Sequence, residues 1–89
     1  MAKGKCMAIN ESVDIGLSEL IAEKKRFEFE LEVVLAEIEE YRELSERLPT
    51  HKQKILEFSE DSRMHSISIY AKLNTLGKTI AMLQESELS

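Results

Sequence analysis

The chain has 89 residues, and its 17 acidic and 12 basic side chains give a formal net charge of −5. This length allows one small domain, and the longest apolar runs are too short for a transmembrane helix. With 43% hydrophobic residues, three Gly and one Pro, neither a disordered chain nor a turn-rich β-sandwich is expected.

Residues 1–9 show no hydrophobic periodicity, and we predict that they form a flexible tail. They also lack the apolar core of a secretory signal. The lone Cys6 cannot form an internal disulfide, which fits a reducing compartment. The predicted location is therefore cytoplasmic.

A first helix is predicted over about 11–47, capped at its start by Asn10 or Ser12. Apolar residues recur at alternating steps of three and four, as in the a and d positions of a coiled coil. We call this line the seam. On the first helix it consists of Leu17, Leu20, Phe27, Leu31, Val34, Ile38, Tyr41 and Leu48, with polar Lys24 and Ser45 at two a positions.

A turn is predicted at 48–50, because Pro49 disfavours helical geometry at the residue before it. Thr50 and Gln53 have the spacing of a capping box, in which side chains of both residues bond backbone N–H groups. A short turn between two helices makes them antiparallel neighbours.

The second helix is predicted over about 51–84. Its seam consists of Ile55, Ser59, Ser62, Ser66, Ile69, Leu73, Leu76, Ile80 and Leu83. Because three of these residues are serines, the helix could instead break near 59–62. That break would give a compact three-helix monomer.

The predicted fold is therefore all-α, an antiparallel coiled-coil-like hairpin forming one domain over 10–86. A lone hairpin buries one stripe per helix, so we expect dimerisation or a partner to complete a four-helix bundle. Apolar residues outside the seam are the predicted partner-binding set: Phe29, Val33, Ala36, Met64, Ile67 and Tyr70.

No catalytic, cofactor or metal site is predicted, and the protein is not expected to be an enzyme. Asp61 and His65 share a helix face, but they lack an oxyanion site and are expected to form a surface ion pair. The enzymatic alternative requires carboxylates such as Glu37 and Glu57 to face a bundle cavity and hold a divalent cation.

Acidic residues predominate in the first helix, with 12 acidic and 5 basic side chains over 10–48. This composition predicts a solvated face and argues against nucleic acid or a membrane as a partner. The predicted function is a non-enzymatic protein-interaction module, as a homodimer or as a small subunit or adaptor of a larger complex.

The alternative is a small chaperone that masks the apolar helix of a partner. In size and hairpin form the chain resembles small type III secretion chaperones. The stretch from Phe58 to Leu83 also resembles the short coiled-coil subunits of actin-regulatory complexes. That likeness is mostly heptad Leu and Ile, which any coiled coil shares, so no family is assigned from it.

Overall fold

The computed structural model describes the backbone of residues 2–88 and the side chains of residues 16–86. Helix α1 spans Ala2–Arg47 and helix α2 spans Lys52–Leu88. A single 3-10 turn, Pro49–His51, connects them, and the described part of the chain contains no strand. The predicted all-α helical hairpin is confirmed.

Helix α1 begins earlier than the predicted start near residue 11. Residues 2–10 contain no proline and only one glycine, so nothing in them forces the backbone out of helical geometry. The flexibility expected for 1–9 remains a prediction. Met1 and the side chains of residues 2–15 lie outside the described residues.

The turn between the helices is built differently from the predicted capping box. Leu48 leaves helical geometry, with φ −127° and ψ 69°, and its carbonyl accepts a hydrogen bond of 2.9 Å from the His51 N–H. Thr50 lies inside the resulting 3-10 turn, where its hydroxyl does not cap α2. The capping-box prediction is therefore wrong, because the proline-led turn already provides the start of α2.

The core is the predicted seam. Among described residues its buried apolar members are Val34, Ile69 and Ile80, each with at most 8% of its surface exposed. The Tyr41 and Phe58 rings pack against each other across the seam with centroids 5.9 Å apart. One predicted seam residue, Leu48, is 48% exposed because the helix ends just before it.

Buried serines occupy two seam positions where the sequence lacks large apolar residues. Ser45 and Ser66 are buried, and their hydroxyls donate to the carbonyls of Arg42 and Arg63 at 2.7 and 2.6 Å. Each hydroxyl is thus satisfied within its own helix, so it can be buried without a cross-helix partner. Because α2 continues through 59–62, the three-helix alternative is wrong.

The hairpin is long and thin, with extents of 69 × 27 × 14 Å. The shortest extent is close to the diameter of one helix with its side chains. The molecule is therefore a single layer of two helices, and both of its flat faces are open.

Candidate functional site

All six predicted partner-binding residues lie on the surface. Phe29, Met64, Tyr70, Ile67 and Val33 have exposed fractions of 68, 56, 49, 48 and 42%, and Ala36 is exposed as well. The structure thus places these apolar side chains outside the core. Whether a partner covers them remains a prediction.

The two flat faces of the hairpin, one on each side of the seam, differ in chemistry, and we call each of them an edge. The d residues are Leu20, Phe27, Val34, Tyr41 and Leu48 on α1 and Ile55, Ser62, Ile69, Leu76 and Leu83 on α2, and the other seam residues are a residues. Residues one position after a d residue flank one side, and residues one position before an a residue flank the other. In an antiparallel pair, equivalent flanks of the two helices meet on the same side. The contact of Gly77 with Lys24 and that of Lys72 with Phe27 fall on opposite sides, in agreement with this assignment.

One side, which we call the apolar edge, carries more apolar than charged residues. Its flanking residues are Ile21, Glu28, Leu35, Arg42, Leu56, Arg63, Tyr70 and Gly77, and Ile67 and Ala81 lie one position further from the seam. The other side, which we call the glutamate edge, has Glu23, Glu30 and Glu37 in a column along α1. Each edge therefore offers a different surface to whatever approaches the hairpin.

The six predicted contact residues do not form one surface. Ile67 and Tyr70 lie on the apolar edge, and Met64 lies beside them on the outer face of α2. By heptad position Phe29 and Ala36 lie on the back of α1, opposite the seam, and Val33 lies toward the glutamate edge. The sequence-based set therefore combined two separate surfaces.

A shallow groove of about 410 Å³ runs beside the glutamate edge near the turn. Its lining residues are Val33, Ala36, Glu37, Glu40, Tyr41 and Leu44. An apolar floor with carboxylates beside it lacks the convergent donors that hold an anion or a small polar ligand.

The turn end of the hairpin is basic, a feature that the sequence analysis did not single out. We define the basic tip as Arg47, His51, Lys52 and Lys54, all of which are exposed. No acidic residue occurs between positions 47 and 56, although acidic residues exceed basic ones in the whole chain. The net charge calculated over a short sliding window of the sequence would have revealed the basic tip.

Most of the basic tip is only loosely paired. Arg47 lies 4.0 Å from a carboxylate oxygen of Glu43, and Lys54 lies 3.6 Å from one of Glu57. Lys52 makes no ion pair with any described residue. These exposed cations are free to meet an anionic partner at little cost.

The strongest ion pair lies on α2. The Arg63 guanidinium donates two hydrogen bonds to the Glu60 carboxylate, at 3.0 and 2.7 Å. These bonds lower the pKa of Glu60 and raise the pKa of Arg63. Arg63, not His65, is thus the ion-pairing residue of this helical turn.

The candidate chemical residues do not converge. Asp61 and His65 are exposed, and no ion pair joins them, so the predicted surface pair is absent. Glu37 and Glu57 are also exposed and face no bundle cavity, so the arrangement that the enzymatic alternative requires is not present. Among the described residues no three His, Cys, Asp or Glu side chains cluster around a common metal position.

No described helix is both long and apolar enough to cross a bilayer.

Comparison with characterised proteins identifies a relative with a known role. The chain is 29% identical over 85 residues to the transcriptional regulator VspR of Vibrio cholerae. The match includes 89% of this chain and 46% of the regulator, so the chain spans less than half of the length of that relative. No solved structure matches.

This relationship corrects the predicted function and the predicted partners. The roles of interaction module, adaptor and chaperone are wrong, because the relative is a transcriptional regulator. The exclusion of nucleic acid as a partner is wrong on the same ground. That exclusion relied on the net charge of the whole chain, which conceals the local excess of basic residues at the tip.

The family comparison covers the hairpin itself. The sequence profile of the VspR C-terminal bi-helical domain matches residues 18–86, which include both helices and the turn between them. The two helices observed here agree with the bi-helical description of that family. The chain belongs to the VspR C-terminal bi-helical domain family.

Proposed function

We propose that this chain acts in transcriptional regulation as the bi-helical domain of a DNA-acting regulator. The observation that carries the proposal is the family match over residues 18–86. The identity to a transcriptional regulator over 85 residues supports it. We further propose a non-enzymatic role and a cytoplasmic location, where a bacterial regulator meets its DNA.

The basic tip is the part of the hairpin best suited to contact DNA. Phosphate contacts come from exposed Lys and Arg side chains, and they do not depend on base sequence. Arg47, Lys52 and Lys54 provide three such charges at one end of the rod. The acidic residues of α1 lie along the stem, where they repel the DNA backbone and favour an end-on approach.

The number of charges at the tip limits the expected affinity. If three phosphates are neutralised, the logarithm of the binding constant falls with the logarithm of the salt concentration with a slope of about −2.7. Such binding is weak for an isolated hairpin and is strongly reduced by salt. The tip would therefore orient a regulator on DNA, while base recognition requires other contacts.

The test is fluorescence anisotropy with a labelled duplex at low ionic strength. A Lys52→Gln, Lys54→Gln double variant removes two tip charges, and we expect the salt slope to become shallower by about 1.8. The matched control, Lys25→Gln with Lys78→Gln, removes two exposed stem charges, and we expect it to leave the slope unchanged.

Two outcomes would contradict the proposed contact. Equal losses in the two double variants would mean that total charge, rather than the tip, controls DNA binding. A wild-type chain that binds no DNA at low salt would remove the tip as a DNA contact.

A further inference from the structure

We propose that the groove on α1 beside the glutamate edge is a docking site for a lysine- and arginine-rich amphipathic helix of a protein partner. The proposal goes beyond the role in transcription, because it names a surface and the chemistry of its occupant. The DNA contact at the basic tip is a separate part of the molecule. The shape, the apolar content and the charge of the groove together select this occupant.

The groove has the shape of a surface that receives a helix. Its lining residues extend from Val33 to Leu44, which corresponds to three turns or about 16 Å of α1. Their spacing of three and four residues keeps them on one side of α1, as in grooves that bind an amphipathic helix. Ala36 contributes only a methyl group to the lining, so its position offers room for a side chain of the occupant.

An apolar line runs through the groove and continues toward the N-terminal end of α1. Val33 is 42% exposed, and Phe29, one turn earlier, is 68% exposed. Both residues lie outside the seam, so the core of the hairpin does not need them. Adjoining exposed apolar side chains mark interaction sites on protein surfaces.

Carboxylates without ionic partners border this apolar line on both sides. By heptad position Glu30 and Glu37 lie on one side of the line, and Glu32 lies on the other. Glu40 lines the groove itself. None of these four carboxylates makes an ion pair with a described residue. The groove therefore has negative charge that the hairpin itself leaves uncompensated.

This combination selects a basic amphipathic helix as the occupant. The apolar stripe of such a helix covers the line from Phe29 to Leu44, and the Lys and Arg side chains at the borders of the stripe reach the glutamates. DNA is disfavoured here, because its phosphates would meet carboxylates. A second copy packed on the same surface would place identical glutamates opposite these, and like charges repel.

The test uses the whole chain and a designed probe, without DNA. The probe is a fluorescein-labelled helical peptide of four turns with a leucine stripe bordered by lysines, and its counterpart carries glutamates at the lysine positions. In fluorescence anisotropy we expect the lysine peptide to bind with an affinity that falls as the salt concentration rises. The glutamate peptide should not bind.

Two matched double variants locate the site. Glu37→Gln with Glu40→Gln removes two groove carboxylates, and we expect it to weaken binding of the lysine peptide by about threefold or more. The control, Glu19→Gln with Glu46→Gln, removes two carboxylates of α1 outside the groove and should leave the affinity nearly unchanged. All four side chains are exposed, so both variants should keep their helicity by circular dichroism.

Amide chemical shifts of the nitrogen-15-labelled chain locate the bound peptide independently of any substitution. Titration with the lysine peptide should move the signals of Val33, Ala36 and Leu44 most. The signals of Ile67 and Tyr70, on the apolar edge, should stay near their starting positions.

Four results would overturn the proposal. They are no binding of the lysine peptide at low salt, equal binding of the two peptides, equal losses in the two double variants, and shifts centred on the apolar edge. Dimerisation of the chain alone that the lysine peptide blocks would make a second copy the occupant and would also overturn it. Because no measurement contains DNA, failure here is distinct from failure of the DNA contact at the tip.

Discussion

The side chain of Lys24 crosses helix α2 at Gly77. A Cβ placed on Gly77 would lie 3.9 Å from the Lys24 Cε, and the Lys24 ammonium continues past it to pair with Glu28 at 2.8 Å. A polar residue at a seam position is thus accommodated, because its aliphatic stem packs on the seam while its charge reaches solvent.

This contact predicts the effect of Gly77→Ala. Because 3.9 Å is ordinary van der Waals distance, alanine fits, and we expect the free energy of unfolding to rise by about 0.5–1 kcal/mol through helix propensity. Urea denaturation followed by circular dichroism measures the change. A destabilised variant would mean that another chain approaches the backbone at Gly77 more closely than Lys24 does.

The geometry of the turn predicts a nearly neutral Thr50→Ala variant. A true N-cap threonine contributes about 1 kcal/mol, but Thr50 lies inside the 3-10 turn, so we expect a change below about 0.5 kcal/mol. Thermal unfolding of the wild-type chain and the Thr50→Ala variant at the same concentration measures this change. A loss of about 1 kcal/mol in the free energy of unfolding would instead indicate that Thr50 caps α2, as in the capping box.

Heptad spacing was sufficient to predict the seam, including its polar members, because burial in a two-helix pair depends mainly on periodicity. The capping box predicted from Thr50 and Gln53 is wrong, because their spacing does not reveal that Pro49 starts a 3-10 turn. Phe29 and Ile67 were grouped as one surface because both are apolar and outside the seam. Only the antiparallel arrangement of the helices separates them.

The basic tip was missed for a different reason. Its charges are diluted in a chain with a net charge of −5, and composition alone hides a short basic stretch. The proposed role in transcription has no signal in the periodicity of the sequence. It rests on the relative and on the family match.

At a buried serine of the seam, we expect a larger side chain to lower the stability and a small apolar side chain to preserve it. Ser66 is 5% exposed, so Ser66→Leu must force the helices apart, at a cost of about 1–3 kcal/mol. Ser66→Ala keeps the small volume, and we expect it to be neutral or more stable by up to about 0.5 kcal/mol. Denaturant midpoints of the two variants measure the difference. Similar midpoints would show that the backbones are not close at this point.

The Glu60–Arg63 pair predicts a measurable titration. Because the hydrogen bonds from Arg63 lower the pKa of Glu60 in the folded chain, the pair stabilises the fold above the ordinary glutamate pKa. That contribution is lost as the pH falls through the lowered value. Carboxyl NMR shifts should show the pKa of Glu60 below the ordinary glutamate value, and Arg63→Gln should raise it toward that value. A Glu60 titration unaffected by that substitution would contradict the pairing.

Two isoleucines on α2 allow the same substitution to probe the seam and the apolar edge. Ile69 is 1% exposed, and we expect Ile69→Ala to lower the free energy of unfolding by about 2–5 kcal/mol at any protein concentration. Ile67 is 48% exposed, so Ile67→Ala should cost much less, because about half of its side chain is already in contact with water. Urea denaturation of both variants measures the two costs. An Ile67→Ala cost as large as that of Ile69→Ala would mean that the apolar edge is covered in solution.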